Sequence, residues 1–339
     1  MNALDQPRVA AWLTERLPEL DPPLRFTRVG EGQSSLTFRV DDAGGTSVVL
    51  RRPPLGDVLA TAHDMAREHR ILTALGSTPV PVPRTLALCE DVDVTGAPFY
   101  VMEHADGLVL TRVADGERLT PDARDAAGRA IASTLADLHA VDVDSVGLGD
   151  FRRPESLASR QLRRWTRQWE ASKTRELPVI DEVAEQLATR MPEERETVVV
   201  HGDYHLLNFV LAGDGGVRAV LDWELCTVGD PLADVGQMLV YWSELGAPAR
   251  QPDGLFREPV AELDGFPSAD ELAGRYAAAA GRDLAELGYW VAFAYWKIAI
   301  IVEGVFRRWL NDPGNGADAG TLQPAVARLA SRARDAVAR

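Results

Sequence analysis

Carboxylate, imidazole and amide side chains are concentrated at residues 201–208, and a further carboxylate follows fourteen residues later. The flanking runs 197–200 and 217–221 are short and rich in β-branched residues, so we expect the polar segment to be a loop between two strands. Loops held by a rigid scaffold often carry catalytic groups. Hard oxygen ligands for Mg²⁺ and a carboxylate that can accept a proton are then available from Asp203, Asn208 and Asp222.

The order His201-Gly202-Asp203, with Asn208 five residues after the aspartate, resembles the catalytic loop of the aminoglycoside/choline-kinase type of phosphotransferase. The stretch Leu-Asp-Trp-Glu-Leu-Cys-Thr-Val-Gly-Asp-Pro-Leu-Ala-Asp at 221–234 is most similar to the kinase domain of acyl-CoA dehydrogenase family members 10 and 11 and of their stand-alone actinobacterial relatives. The resemblance covers nearly the whole chain. It implies that Asp203 orients and deprotonates a substrate hydroxyl, whereas Asn208 and Asp222 bind Mg²⁺.

The fold implied by the resemblance is α+β: a bilobal protein-kinase-like fold with a small β-rich N-terminal lobe and a larger, mainly helical C-terminal lobe. Residues 1–104 would form the nucleotide-binding lobe, with a hinge at its end, and residues 105–339 the catalytic and substrate-binding lobe. The first part of the chain contains short strand-like runs at 25–29, 35–40 and 47–52. From Thr120, a plausible helix N-cap followed by Pro121, the pattern becomes helical.

A glycine turn between the first two strands could contact a nucleotide. Gly30 and Gly32 would let backbone N–H groups approach phosphates, and Gln33 and Ser34 add further donors. An ordinary glycine hairpin would show the same pattern. The turn precedes the strand that ends at Arg51, and this position favours the interpretation that the turn contacts a nucleotide.

The third strand ends in two arginines where the resemblance implies a basic residue that a helix glutamate holds against the phosphates. Strand alternation aims Arg51 and Arg52 at opposite faces, and we expect Arg51 to be the phosphate contact. Glu68, on a helix predicted at 58–75, would be its partner; otherwise it is a solvated helix residue. Arginine in place of lysine departs from the general kinase pattern, although a guanidinium is an effective phosphate ligand.

The stretch 99–104, at the end of the strand-like run 97–103, resembles the hinge strand of the superfamily. The resemblance implies that backbone groups near Glu103 and His104 face the adenine edge. No side chain there specifies the base, so ATP is the expected phosphate donor and GTP is not excluded. Mg²⁺ is the expected metal cofactor.

Two sets of residues are candidates for acceptor binding. One is a helical face formed by Arg160, Arg163, Arg164 and Arg167. This face is either a docking surface for an anionic substrate, such as a CoA thioester, or a solvated surface. The other consists of Lys297 and Glu303, two charged residues in a helix rich in aromatic side chains. They are either polar anchors in the wall of a cleft or a buried ion pair of the core.

Composition restricts the partners. A net charge of −15 disfavours nucleic-acid binding, because there is no surplus of basic residues to neutralise phosphates. Residues 240–339 contain thirteen acidic and eleven basic residues, which gives no support to a polycationic aminoglycoside acceptor. The first residues lack the basic and apolar regions of a signal peptide, which indicates a cytoplasmic protein. The most apolar stretch, 289–306, carries two charges and is expected to be a buried helix and not a membrane span.

The sequence as a whole indicates an ATP- and Mg²⁺-dependent phosphotransferase acting on a small-molecule hydroxyl, for which the resemblance favours a hydroxyacyl-CoA-like metabolite. An aminoglycoside or macrolide antibiotic is the alternative acceptor. A catalytically silent nucleotide or acyl-CoA binding module is an alternative of another class. A zinc or iron site at His201 and His205 is also conceivable, but we expect His201 to brace the catalytic loop and His205 to pack within it.

Overall fold

The structure is a computed structural model that describes residues 4–29, 35–54, 64–243, 260–311 and 319–338. The chain divides into two compact units: a first unit of residues 1–106 and 218–224, and a second unit of residues 107–217 and 225–339. The sequence places a boundary after residue 104 and does not foresee that the segment carrying Asp222 belongs to the first unit.

The first unit is built on an antiparallel sheet with the strand order β1-β2-β3-β5-β4. Its elements are α1 Gln6–Arg16, β1 Arg25–Val29, β2 Leu36–Asp41, β3 Ser47–Arg52, α2 Met65–Leu75, β4 Thr85–Cys89, α3 Val92–Thr95 and β5 Phe99–Glu103. The strands expected from the sequence are confirmed to within one or two residues. Helix α2 begins after its N-cap Asp64, which accepts the Arg67 N–H, and the preceding part of the predicted helix lies outside the described residues.

The two faces of this sheet have different chemistry. Alternate strand residues pack with α1 in one apolar cluster, which includes Val9, Leu13, Leu36, Phe38, Val40, Val48, Leu50, Phe99 and Val101. The intervening positions point to the opposite face, as the pleat requires. Arg51 and its neighbour Tyr100 on β5 occupy that face, where they meet α2. The alternation therefore separates the apolar core from a buried polar cluster.

The second unit is mainly helical. Its elements are α4 Val113–Glu117, α5 Pro121–His139, α6 Leu157–Ser172, α7 Pro178–Thr189, β6 Val198–Val200, β7 Phe209–Leu211, β9 Thr227–Gly229, α8 Leu232–Ser243, α9 Ala269–Ala280, α10 Leu287–Asn311 and α11 Ala319–Val337. Strand β8, Val217–Val220, lies mainly in the segment 218–224 of the first unit. As predicted, Thr120 caps α5 by accepting the Ala123 N–H, with Pro121 at its first position. The polar segment 201–208 runs from β6 to β7 and ends in a single 3₁₀ turn.

Helix α10 is the central helix of the second unit. In the part of the chain that the structure describes, it alone is long and apolar enough to cross a membrane, yet 83% of its most apolar window is buried inside the protein. Its neighbours include α8, α6, α7 and α11. The expectation of a buried helix is therefore confirmed.

Helices α8 and α10 approach each other closely at Gly236. A Cβ atom at this position would lie 2.6 Å from the backbone of Trp290, a distance that side-chain carbons essentially never adopt. The glycine therefore allows the two helices to pack almost backbone to backbone. This contact sets the positions of the polar side chains that follow on both helices.

We predict that Gly236→Ala destabilises the protein by about 1–3 kcal/mol, because the added methyl group forces the two helices apart. The matched control is Gly274→Ala on α9, where a Cβ would meet nothing within 4 Å. That substitution should stabilise the protein by roughly 0.5–1 kcal/mol, since alanine is the better helix former. Urea unfolding followed by circular dichroism measures both, and equal effects of the two substitutions would contradict the close helix contact.

Candidate active site

The loop from His201 to Asn208 is held by the buried carboxylate of Asp234, the third residue of α8. Asp234 Oδ2 accepts the His201 N–H at 2.7 Å, and Oδ1 accepts the Gly202 N–H at 2.8 Å. Gly202 has φ +82°, and a Cβ there would lie 2.6 Å from the Leu225 carbonyl oxygen, so the position requires glycine. Two charge-assisted hydrogen bonds thus fix the backbone just before Asp203.

A second buried layer supports Asp234. His139 Nε2 lies 3.4 Å from Asp234 Oδ2, and His139 Nδ1 lies 2.8 Å from the Tyr276 hydroxyl. Burial lowers the pKa of His139, which outweighs the opposing effect of Asp234. The neutral ring then donates from Nε2 to the carboxylate and accepts the Tyr276 O–H at Nδ1.

The carboxylate of Asp203 has a side-chain partner on three sides. Gln237 Nε2 donates to Oδ1 at 2.7 Å, while Oδ2 lies 3.1 Å from His205 Nε2 and 3.2 Å from Asn208 Nδ2. Burial raises the pKa of Asp203, but the contact with His205 and the charge of Lys297 lower it more, and the balance holds the pKa well below the usual range. The side chain keeps 23% of its surface exposed, so an ionised and accessible carboxylate results.

The two histidines of the loop have distinct positions. His201 Nδ1 accepts the Asp203 N–H at 3.2 Å, which is the bracing expected from the sequence. His205 is buried and stacks on Tyr241, with ring centroids 4.2 Å apart, and it also contacts the Asp203 carboxylate. Within the described ranges, no three His, Cys, Asp or Glu side chains are grouped as metal ligands. The zinc alternative therefore lacks a ligand set there.

The Asn208 side chain has an orientation that suits a metal ligand. Its Nδ2 donates to the Asp203 carbonyl oxygen at 2.9 Å, so the amide oxygen is the atom directed away from the loop. Amide oxygens are among the hard ligands that Mg²⁺ accepts. The residue therefore fits the predicted metal role.

In the first unit, Arg51 lies among three carboxylates. Its Nε is 3.3 Å from Glu68 Oε1, and its Nη2 is 2.5 Å from Asp222 Oδ1 and 3.5 Å from Glu224 Oε2. Tyr100 donates its hydroxyl to Glu68 at 3.0 Å. Burial lowers the pKa of Arg51, but the neighbouring carboxylates outweigh it and hold the pKa above its usual value. Asp222 offers carboxylate oxygens of the kind that a divalent cation accepts.

The neighbouring arginine has a different environment. Arg52 is fully buried on the other face of β3, where its Nη1 donates to the Thr95 carbonyl at 3.2 Å. The predicted choice of Arg51 over Arg52 therefore matches the geometry. Glu68 is only 2% exposed, so it is not a solvated helix residue. The contact of either residue with phosphates stays a prediction.

The backbone of Asp222 is unusual. Among non-glycine residues of the described segments, it alone has a positive φ, 67°. Such backbone costs on the order of 1–3 kcal/mol and is concentrated at functional sites. The next residue, Trp223, is buried and donates its indole N–H to the Val220 carbonyl at 2.9 Å, which anchors the turn.

The other nucleotide candidates stay predictions. Gly30, Gly32, Gln33 and Ser34 lie outside the described residues. The Glu103 N–H donates to the Arg84 carbonyl at 2.9 Å, so this N–H is not available to an adenine ring. The Glu103 carboxylate pairs with the Arg84 guanidinium, and His104 Nδ1 lies 3.2 Å from Asp106. A role for the remaining backbone groups near Glu103 and His104 stays a prediction.

The expected single face of four arginines is not observed. Arg160 turns inward and donates to the Val228 carbonyl at 2.8 Å, because α6 packs against β9 at this point. Arg163 pairs with Glu155, and the Arg164 guanidinium lies over the Trp165 ring at 5.6 Å. The exposed arginines of this surface are Arg163, Arg164 and Arg167.

Lys297 and Glu303 do not form a pair. Lys297 is buried and donates from Nζ to the Gly202 carbonyl and to Gln237 Oε1, both at 3.0 Å. Glu303 is fully buried and accepts the Thr174 N–H and hydroxyl at 2.8 and 2.6 Å, and Arg175 lies 3.3 Å away. Glu303 thus holds the segment that follows α6, which matches the alternative of a core residue.

Sequence reasoning assigned no role to Asp234, Gln237 or Tyr241. These residues are spaced three and four positions apart on α8, which places them on one face of the helix. Asp234 and Gln237 are polar residues in an otherwise apolar helix, and this contrast is the sequence feature that could have pointed to them. The structure buries both. Glu224, near Arg51, was also missed.

Comparison with known proteins identifies the family of the chain. The profile of the phosphotransferase enzyme family matches residues 25–290. Acyl-CoA dehydrogenase family member 10 of Mus musculus is 33% identical over 91% of this chain, and family member 11 of Rattus norvegicus is 33% identical over 93%. The matches span 29% and 41% of those proteins, so this chain corresponds to less than half of their length.

Solved structures show the same fold. A Ralstonia eutropha JMP134 protein assigned provisionally to the aminoglycoside phosphotransferases is 30% identical, with a TM-score of 0.80 and 99% of each chain covered. The aminoglycoside phosphotransferase APH(4)-Ia, in a ternary complex with AMP-PNP and hygromycin B, is 17% identical, with a TM-score of 0.62 and 97% and 98% of the two chains covered. The expected protein-kinase-like fold is confirmed.

We predict that Asp234→Asn destabilises the protein by about 2–4 kcal/mol, because an amide nitrogen would face one of the two loop N–H groups and leave it unsatisfied. The control is Asp122→Asn at an exposed position of α5, which should change stability by less than about 0.5 kcal/mol. Chemical denaturation measures both. Similar stabilities of the two variants would show that Asp234 does not hold the loop.

Proposed function

This chain belongs to the phosphotransferase enzyme family, and we propose that it transfers the γ-phosphate of ATP to a hydroxyl group of a small molecule. The observation that carries the proposal is the geometry of Asp203: a partly accessible carboxylate whose position is fixed by Gln237, His205 and Asn208. Family membership supports a kinase-type enzyme. Nucleotide use is supported by the AMP-PNP bound to the similarly folded APH(4)-Ia.

The occupancy of the carboxylate oxygens explains how Asp203 would act. An ionised carboxylate has about four acceptor positions. Oδ2 accepts from two side chains and Oδ1 from one, so one position on Oδ1 is left for a substrate hydroxyl. Asp203 would hold the acceptor oxygen toward the γ-phosphate and take its proton as the new oxygen–phosphorus bond forms and the bond between the γ-phosphorus and ADP breaks, which releases ADP.

The remaining roles concern the phosphates. We propose that Asn208 and Asp222 provide oxygen ligands for Mg²⁺, which when bound neutralises the negative charge of the phosphate oxygens. Arg51 would contact the phosphates directly, with its guanidinium oriented by Glu68 and, through Glu68, by Tyr100. Arg51 and Tyr100, the two ends of this chain of contacts, are buried. The guanidinium is therefore held in position before the phosphates bind.

For the acceptor, we propose a hydroxyacyl-CoA-like thioester. The curated relatives combine a region like this chain with a larger remainder, and they are named for acyl-CoA dehydrogenase, so a shared acyl-CoA substrate class is the simplest connection. The exposed arginines 163, 164 and 167 could meet the phosphates of CoA. An aminoglycoside is the second candidate, because APH(4)-Ia binds hygromycin B.

We predict that Asp203→Asn lowers phosphotransfer by roughly 10²- to 10⁴-fold, the usual cost of removing a general base. Affinity for the ATP analogue AMP-PNP with Mg²⁺ should stay nearly unchanged. The contrasting variant is Asp222→Ala, which should weaken Mg²⁺-dependent nucleotide binding because a hard anionic ligand is lost. Calorimetry and coupled ADP detection measure the two quantities. Turnover of Asp203→Asn within about threefold of the unsubstituted protein would show that Asp203 is not the general base.

We predict that a panel of hydroxyacyl-CoA thioesters, differing in chain length and hydroxyl position, contains compounds that stimulate ADP release. The matched acyl-CoA compounds without the hydroxyl should be inactive, since they lack the nucleophile.

Arg163→Glu with Arg164→Glu should raise the acceptor KM without changing the ATP KM, and the effect should shrink at high salt. Efficient phosphorylation of hygromycin B with all thioesters inert would establish an antibiotic acceptor instead. Absence of any ATP turnover would favour a silent binding module.

A further inference from the structure

Gln237 and Lys297 form a polar connection inside the apolar packing of α8 and α10. The exposed fractions of the two residues are 3% and 7%. The close approach at Gly236 brings Gln237 toward α10, and Lys297 lies about two turns after Trp290 on that helix. Burying an ammonium group without a role is costly, and methionine or leucine would fill the same space. The charge at this position therefore requires an explanation.

The hydrogen bonds of this connection can have only one direction. An ammonium group has donors and no acceptor, so Gln237 Oε1 must accept from Lys297 Nζ at 3.0 Å. The amide nitrogen is then directed to Asp203 Oδ1, at 2.7 Å. A flipped amide would place its NH₂ against the ammonium group and its oxygen against the carboxylate. Lys297 therefore determines which end of Gln237 meets Asp203.

Lys297 also contacts the loop directly. Its Nζ donates to the carbonyl oxygen of Gly202, the residue before Asp203, at 3.0 Å. Its further surroundings include the Trp165 ring at 5.6 Å and the charges of Asp203, Asp234 and Arg164. Burial lowers the pKa of Lys297, and Arg164 lowers it further, whereas the charges of Asp203 and Asp234 oppose this shift. One side chain thus acts on both the backbone and the carboxylate of the proposed base.

We propose that Lys297, acting through Gln237, is a positioning residue that holds the Asp203 carboxylate in the orientation that leaves one Oδ1 acceptor position open to the substrate hydroxyl. The inference rests on the proposed phosphotransfer function. Lys297 itself does not need to touch the nucleotide or the acceptor. Its removal should free the Gln237 amide to flip and the Asp203 carboxylate to rotate.

The test compares four variants of the full chain with hydroxyacyl-CoA thioesters as acceptors. Lys297→Met removes the donors at similar length, and Gln237→Glu keeps the acceptor for Lys297 but removes the donor to Asp203. Each should lower kcat by about 10- to 100-fold, the scale of a misplacement near 1 Å, with the Mg·ATP KM unchanged within about threefold. Lys297→Arg should recover a substantial part of kcat. Glu303→Gln on the same helix should reduce stability but not kcat.

Two further measurements separate positioning from a general loss of structure. The double variant of Lys297→Met and Gln237→Leu should cost no more than the larger of the two single effects, with Gln237→Leu also measured alone, because both residues act along one path. A crystal structure of Lys297→Met without ligand should show the Asp203 Oδ1 to Gln237 Nε2 contact broken or the carboxylate rotated. An unchanged contact in that structure, or kcat within about threefold of the unsubstituted protein, would overturn the inference.

These outcomes also distinguish the inference from the proposed function. If the unsubstituted protein transfers phosphate, Asp203→Asn is inactive and Lys297→Met is fully active, the function stands and the positioning role is wrong. If the unsubstituted protein transfers no phosphate to any thioester of the panel or to hygromycin B, both are wrong. If Lys297→Arg loses as much kcat as Lys297→Met, the loss comes from packing and not from the missing charge. This result would also contradict the positioning role.

Discussion

The loop from His201 to Asn208 depends on one buried carboxylate that accepts two successive backbone N–H groups. Asp234 binds His201 and Gly202 in this way, and His139 and Tyr276 hold the carboxylate from behind. In a low-dielectric interior, such charge-assisted bonds are strong when they are complete and costly when they are broken. The backbone immediately before Asp203 is therefore set by the core of the second unit and not by the loop itself.

Helix α8 extends this control to the side chains. Asp234, Gln237 and Tyr241 follow one another on one face, and they contact in turn the loop backbone, the Asp203 carboxylate and the His205 ring. Helix α10 adds Lys297 behind them, at a separation that only a glycine at position 236 allows. In the first unit, the pleat of the sheet performs the comparable task by presenting Arg51 to Glu68 and Asp222.

The parts that the sequence predicts are those set by local rules. Alternation along a strand decides between Arg51 and Arg52, and the spacing of Asp203 and Asn208 identifies the loop. Gln237 could not be assigned a role, because its contact with Asp203 joins positions 34 residues apart and depends on how two helices pack.

The wrong expectations have similar causes. Helical spacing groups Arg160 with the exposed arginines of α6, but packing against β9 draws it to the Val228 carbonyl. Lys297 and Glu303 are six residues apart, which places them on different sides of α10, so each found partners in a different part of the second unit.

The central claim is that the held carboxylate of Asp203 serves phosphate transfer to a hydroxyl. The most direct measurement follows the phosphorus when the protein is incubated with γ-labelled ATP, Mg²⁺ and hydroxyacyl-CoA thioesters. The account predicts that the label appears in a phosphate ester of the acceptor, with one ADP formed for each ester. Label that stays in ATP, or that appears only as inorganic phosphate, would contradict it.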